Sequence, residues 1–150
     1  MKKSIFVLFI ISVFLLAACS QTEQAQQPAQ DTQGSYKIGV MAPLTGDAAS
    51  VGLPIQKALK IAFDEVNAKG GVNGKKLEPI YEDSKCNPKD GNAAAQKLIS
   101  VDNVKVIIGG VCSGETLGAA PITEANKVLL ISPSATSPDI TKAGDFVFRT

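Results

Sequence analysis

Residues 35 to 150 predict an α/β fold, a parallel sheet with helices on both faces, on three observations. Short apolar runs alternate with stretches of helical periodicity. The first four runs each end at a proline, glycine or serine. The apolar content is aliphatic, 45 % hydrophobic against 5 % aromatic. Alternation at this spacing implies βαβ units with right-handed crossovers, and 150 residues leave room for one domain.

The first strand is Tyr36 to Ala42, a buried run that stops at Pro43 and leads into the loop LTGDAASVG. Ile55, Leu59, Ala62, Phe63 and Val66 then recur as one face of an amphipathic helix, which Gly70-Gly71 ends. Asn73-Gly74 marks a turn. Leu77, Pro79 and Tyr81 alternate with Glu78, Ile80 and Glu82 in a second strand, and the proline assigns it to an edge. Asn87 caps the next helix with Pro88 at its first position, and Leu98, Ile99 and Val101 supply its buried face. Val104 to Ile108 is the third strand. Gly109 to Gly114 forms a tight loop into a further helix, Val128 to Ile131 is the fourth strand, and Phe146-Val147-Phe148 begins a fifth.

In such sheets ligands bind beyond the carboxyl ends of the strands, where helix N-termini present unpaired N–H groups. Those ends are the loops after Ala42, Ser84, Ile108 and Ile131. The chain contains no histidine, so the commonest general base and the commonest zinc ligand are missing. Gly110-Val111-Cys112-Ser113-Gly114 has the G-x-C-x-G spacing of a nucleophile elbow, but a chain without histidine lacks the usual proton acceptor, and an enzyme is not expected. Gly70 to Lys75 ends a helix instead of opening one and lacks the Gly-Lys-Ser/Thr ending of a phosphate loop. Glu82 and Asp83 are strand neighbours facing opposite sides and so make no carboxylate pair. No metal-ligand spacing and no cofactor motif is present.

The first 18 residues read as a signal peptide: Lys2 and Lys3, then an apolar run from Ile5 to Leu16 broken only by Ser12, then small residues. A spanning helix needs about 20 apolar residues, and Ser20, Gln21 and Thr22 intervene too early. Leu16-Ala17-Ala18-Cys19 resembles the lipobox of bacterial lipoproteins, which implies lipidation of Cys19 as the mature N-terminus. Residues 19 to 34 hold no large apolar side chain and are expected to be a flexible tether. Removing Lys2 and Lys3 from the 15 basic residues leaves 13 against 14 acidic ones, a balance that does not attract nucleic acid.

The loop APLTGDAASVG, the stretch from Asp64 to Gly74 (DEVNAKGGVNG), Val111-Cys112-Ser113 and Ser134-Ala135-Thr136 together resemble the leucine/isoleucine/valine-binding family of periplasmic proteins, in order from Tyr36 to Thr150. The resemblance implies a Rossmann-like first lobe of a type I periplasmic binding protein. It implies a substrate-binding component of an ABC importer that captures amino acids, branched-chain ones first. The ligand carboxylate would be held by Ser113, beside Cys112, and by Ser134, Ala135 and Thr136, with the Ser134 carbonyl and Thr136 hydroxyl also near the ammonium. Ser113 opens a helix, so its hydroxyl and the amides after it form a donor cup for an anion; a plain helix cap is the competing role. Cys86 and Cys112 fall where the resembling proteins have joined cysteines, and two packed thiols are the alternative.

Where related sequences often place an aromatic residue in the first loop, this chain has Val51, which leaves the ligand's side chain undetermined. A chain stopping at Thr150 is expected to hold an incomplete first lobe and no second one. Expected partners are a small amino-acid solute, an ABC permease and, through the anchor, the extracytoplasmic membrane surface; the chain itself is expected to be a monomer. A ligand-sensing module with the same architecture and an inactive fragment are the alternatives.

Overall fold

The structure, a computed structural model, describes residues 34 to 150. The expected signal peptide, Cys19 and all of the tether but Gly34 lie outside the described residues. Among the described residues no helix is long and apolar enough to cross a membrane.

Five strands form one sheet: β1 (Tyr36–Ala42), β2 (Leu77–Asp83), β3 (Val106–Ile108), β4 (Leu129–Ser132) and β5 (Val147–Arg149). Helices α1 (Ala49–Ala68), α2 (Pro88–Ser100) and α3 (Ser113–Asn126) connect the first four, and a 3₁₀ turn at Pro138–Lys142 leads to the last. The spatial order is β2-β1-β3-β4-β5 and every pairing is parallel. β2 is therefore an edge strand, as Pro79 predicts.

The path from β1 to β2 runs one way along the sheet and all later steps run the other. With right-handed crossovers this puts α1 on one face and α2 and α3 on the other. The reversal occurs at β1, so the crevice between the carboxyl ends of β1 and β3 is where a ligand is expected in such a sheet.

The core lies on the α2/α3 face. Met41, Leu98, Ile107 and Leu130 have no exposed surface, and Ala94, Ala95, Ala119, Ala120, Val128 and Val147 fill the space around them. Burying each of the large side chains contributes about 1.5–3 kcal/mol. Small residues bring α2 and α3 close: a Cβ on Gly118 would stand 2.3 Å from the carbonyl oxygen of Pro88. At the start of α2, Asn87 accepts the Asp90 N–H at 2.9 Å and Pro88 occupies the first turn, as the sequence predicts.

Helices lie on both faces of the parallel sheet, as expected, with α1 over β1 and β2. Residues that alternate with the core set, Val106, Ile108, Leu129 and Ile131, are half-buried, and Phe148 is 52 % exposed. Several local expectations are corrected. The last four residues of the predicted first loop are helical, since α1 begins at Ala49, where Gly52 packs so tightly on Pro43 that a Cβ would meet its carbonyl oxygen at 1.9 Å. Ala62 is exposed, because the buried face of α1 narrows to Gly52 and Phe63 with Ile55, Leu59 and Val66 at its margins. Val101 is 67 % exposed: it follows the last turn of α2 and points to solvent, while Val104 turns back into the core. The third and fifth strands begin later than expected, at Val106 and Val147, and the fourth runs from Leu129 to Ser132, since ladder pairing sets these ends.

The DEVNAKGGVNG stretch has a clear structural task. Asn67 in the last turn of α1 donates to the Leu77 carbonyl at 2.8 Å and accepts the Leu77 N–H at 2.7 Å, so its side-chain amide starts the edge strand as a neighbouring backbone would. Gly71 then turns with φ +73, where a Cβ would lie 2.0 Å from the Lys75 carbonyl oxygen.

Candidate functional site

Three loops meet beyond the carboxyl ends of β2, β3 and β4, and a fourth from β1 is tied to them. Asp83 at the end of β2 accepts the Leu44 N–H at 2.8 Å, the Lys85 N–H at 3.1 Å and the Thr45 hydroxyl. Burial pushes the Asp83 carboxyl up, but these hydrogen bonds, that of Thr45 foremost, outweigh it and hold the group below the ordinary carboxylate range.

After β3 the chain passes Gly109, whose φ of +141 and contact with β1 leave no room for a side chain: a Cβ would sit 2.1 Å from the Met41 carbonyl oxygen. The next carbonyl, that of Gly110, accepts the Ser132 hydroxyl at 2.6 Å and the Thr116 hydroxyl at 3.2 Å. Ser132 is fully buried and also accepts the Ala135 N–H at 2.9 Å, so it fastens the loop after β4 to the loop after β3. The Val111 carbonyl accepts the Ser134 hydroxyl at 2.9 Å.

Ser113 is the first residue of α3, and Cys112 holds the cap position, so Ser113 is not the cap. Its Oγ accepts the Thr136 N–H at 3.2 Å and the Ser137 N–H at 3.1 Å. An oxygen that already accepts twice directs its own proton outward as a donor. The amides of Ser113 and Gly114 stand in the first turn, where the helix supplies them no acceptor, and the positive end of the helix dipole lies there. Together these groups can receive an anion without any cationic side chain.

Of the residues singled out from sequence, Ser113, Ser134 and Thr136 come together. The Ser134 hydroxyl gives its proton to the Val111 carbonyl, so its side chain has none left to donate to an anion. Ala135 is 2 % exposed and its methyl belongs to the core, so it can act only through its backbone. The Thr136 side chain is exposed. Val51 lies in the first turn of α1, beyond the carboxyl end of β1, and is 53 % exposed. Cys86 and Cys112 form a disulfide with a Cα–Cα distance of 5.3 Å, which joins the loop after β2 to the residue before Ser113. With Cys112 so bonded, no free thiol stands at the elbow position. A hollow of about 650 Å³ lined by Tyr36, Ile38, Leu77 and Val106 lies at the amino ends of the strands, away from these loops.

The sequence reading missed Ser84, Glu115 and Ser132, all without exposed surface. Glu115 accepts the Cys112 N–H at 2.9 Å and the Ser84 hydroxyl, binding the loop after β2 to the start of α3. Cys112-x-x-Glu115 has the spacing of a capping box with cysteine at the cap, the one signal that could have found it.

Known proteins resemble this chain in sequence and fold. A family described as periplasmic binding protein matches residues 35–150. The leucine-, isoleucine-, valine-, threonine- and alanine-binding protein of Pseudomonas aeruginosa is 42 % identical over 117 residues, covering 77 % of this chain and 31 % of its own. The Leu/Ile/Val-binding protein of Escherichia coli K12 is 36 % identical over 115 residues, covering 76 % of this chain and 31 % of its own. Among solved structures, the branched-chain amino acid transporter substrate-binding protein LivJ of Streptococcus pneumoniae, in complex with isoleucine, superposes with TM-score 0.74 at 34 % identity over 77 % of this chain and 33 % of that one. A solute-binding protein of an ABC transporter from Rhodopseudomonas palustris BisB5, in complex with 3,4-dihydroxybenzoic acid, gives TM-score 0.71 at 34 % identity over 77 % of this chain and 31 % of that one. The chain thus spans about a third of the length of the relatives it matches. By its matched family it belongs to the periplasmic binding proteins.

Proposed function

We propose that this chain supplies the docking half of an extracytoplasmic amino-acid-binding protein that delivers its ligand to an ABC permease. The ligand carboxylate sits on the Ser113 and Gly114 amides and the Ser113 and Thr136 hydroxyls. The Ser134 carbonyl and Thr136 hydroxyl face the ammonium, the Ala135 backbone lies between them, and Val51 borders the ligand's side chain. Lipidation at Cys19 and a tether to residue 34 keep this lobe near the membrane. The reading is of a binding component, not of an enzyme, and the names of the relatives, which bind leucine, isoleucine and valine, support branched-chain ligands.

One observation carries it: Ser113 Oγ is fixed by two amides of the neighbouring loop, so that its proton and the first amides of α3 are free for an anion. In a binding protein of this kind a second lobe closes over the ligand by hinge motion; this lobe alone offers part of the contacts, and weak binding is expected. Titrating the purified, isotope-labelled chain with L-leucine tests the reading. Amide signals of Ser113, Gly114 and Thr136 should move together at millimolar ligand while those of β2 stay still. Leucine-induced shifts confined to other parts of the sheet, or none, would refute the site.

A further inference from the structure

Glu115 is a carboxyl group with no exposed surface, set directly behind the first turn of α3. Both of its oxygens are engaged, one by the Cys112 N–H and one by the Ser84 hydroxyl. Gly110 packs against this side chain: a Cβ there would stand 2.3 Å from the Glu115 Cγ and 2.6 Å from its Oε1. The ion pairs among the described residues join Lys60 to Asp64, Lys85 to Asp90, and Lys97 to Glu82 and Asp102; none reaches Glu115. The residue that follows its hydrogen-bond partner Cys112 is Ser113, the proposed carboxylate contact.

A fixed negative charge behind an anion cup acts differently on different ligands. A plain carboxylate meets the full repulsion. A zwitterion brings its ammonium along, and the attraction to that charge cancels most of the repulsion. The same fold accommodates both ligand classes in its solved relatives, isoleucine in one and 3,4-dihydroxybenzoic acid in another.

We propose that Glu115 is a specificity-determining residue, which disfavours plain carboxylates and so selects zwitterionic amino acids without touching them. The inference rests on the carboxylate site proposed above. The competing role is that Glu115 only caps α3 and pins two loops; a glutamine keeps that role, since it serves equally at the third position of a capping box.

The test compares the wild-type chain with Glu115→Gln, titrating each with L-leucine and with 4-methylpentanoate, the same molecule without its ammonium group. Amide shifts at Ser113, Gly114 and Thr136 report both ligands. The wild type should prefer leucine, and Glu115→Gln should reduce the leucine to 4-methylpentanoate affinity ratio about tenfold, chiefly by strengthening the plain acid, as removal of a nearby unit charge at an effective dielectric of about 20 requires. An unchanged ratio, with both ligands still shifting those amides, would overturn this inference and leave the site standing. No leucine response at those amides in either protein would instead overturn the site, and this inference with it.

Discussion

The hydroxyl oxygen of Ser113, at the start of α3, lies 3.1 Å from the amide nitrogen of Ser137, in the loop after β4. This contact and its twin to Thr136 span 24 and 23 residues of sequence. They convert two loops that follow neighbouring strands into one surface.

Ser113→Ala removes the acceptor for two amides that water can partly reach. It should lower stability by about 1 kcal/mol, read by urea unfolding. In a form of the protein carrying both lobes, leucine binding measured by calorimetry should weaken by about 1–3 kcal/mol, the cost of taking a buried partner from a charged group. Unchanged affinity would remove Ser113 from the ligand site.

The Cys86–Cys112 bond closes a loop with a sequence separation of 26. In the chain-entropy view such a cross-link stabilises by about 3 kcal/mol. Unfolding with and without dithiothreitol, or of the Cys86→Ser/Cys112→Ser pair, should show a loss of that order.

Asp83 gives a pH dependence of definite sign. Its folded value lies below its unfolded one, so its stabilising effect is complete above the ordinary carboxylate value of about 4 and fades as pH falls through the lower folded value. Urea unfolding at neutral pH and at about pH 3 should show the wild type losing more stability on acidification than Asp83→Asn. Equal losses would mean that the Leu44, Thr45 and Lys85 contacts do not hold the charged form.

Asn67→Ala should cost about 1–3 kcal/mol, because the Leu77 N–H and C=O at the head of the edge strand lose both partners at once. Hydrogen exchange at Leu77 should rise in this variant more than exchange at Ile107 in the core.

Elements with a strong repeating pattern were legible in the sequence: the strands of aliphatic runs, the edge position of β2 from Pro79, and the start of α2 from Asn87-Pro88. The start of α1 was not, because Ala48 caps it without a side-chain bond and the composition of Ala49 to Gly52 is that of a loop. Gly52 of that turn packs against Pro43 in the loop after β1, a contact between residues nine apart that no local pattern announces. Val101 misled for the opposite reason: an apolar residue one step past a helix end follows the chain's direction, not the helix's face. Of the candidate site, Ser113 and Thr136 were visible through a family likeness, while Glu115 and Ser132 were not, since acidic and hydroxyl residues give no local sign of being buried.

By itself the sequence determined the alternation of strands and helices, and with it the end of the sheet at which a ligand would be received, because backbone periodicity and glycine or proline stops act over a few neighbouring residues. Only the tertiary structure decided which hydroxyl keeps a proton to donate. Ser113, Ser132 and Ser134 are chemically alike, yet Ser132 and Ser134 donate to backbone carbonyls while Ser113 accepts two amides and keeps its proton to give. The difference arises from partners more than 20 residues away in the chain, which the parallel pairing of β3 with β4 brings within hydrogen-bond reach.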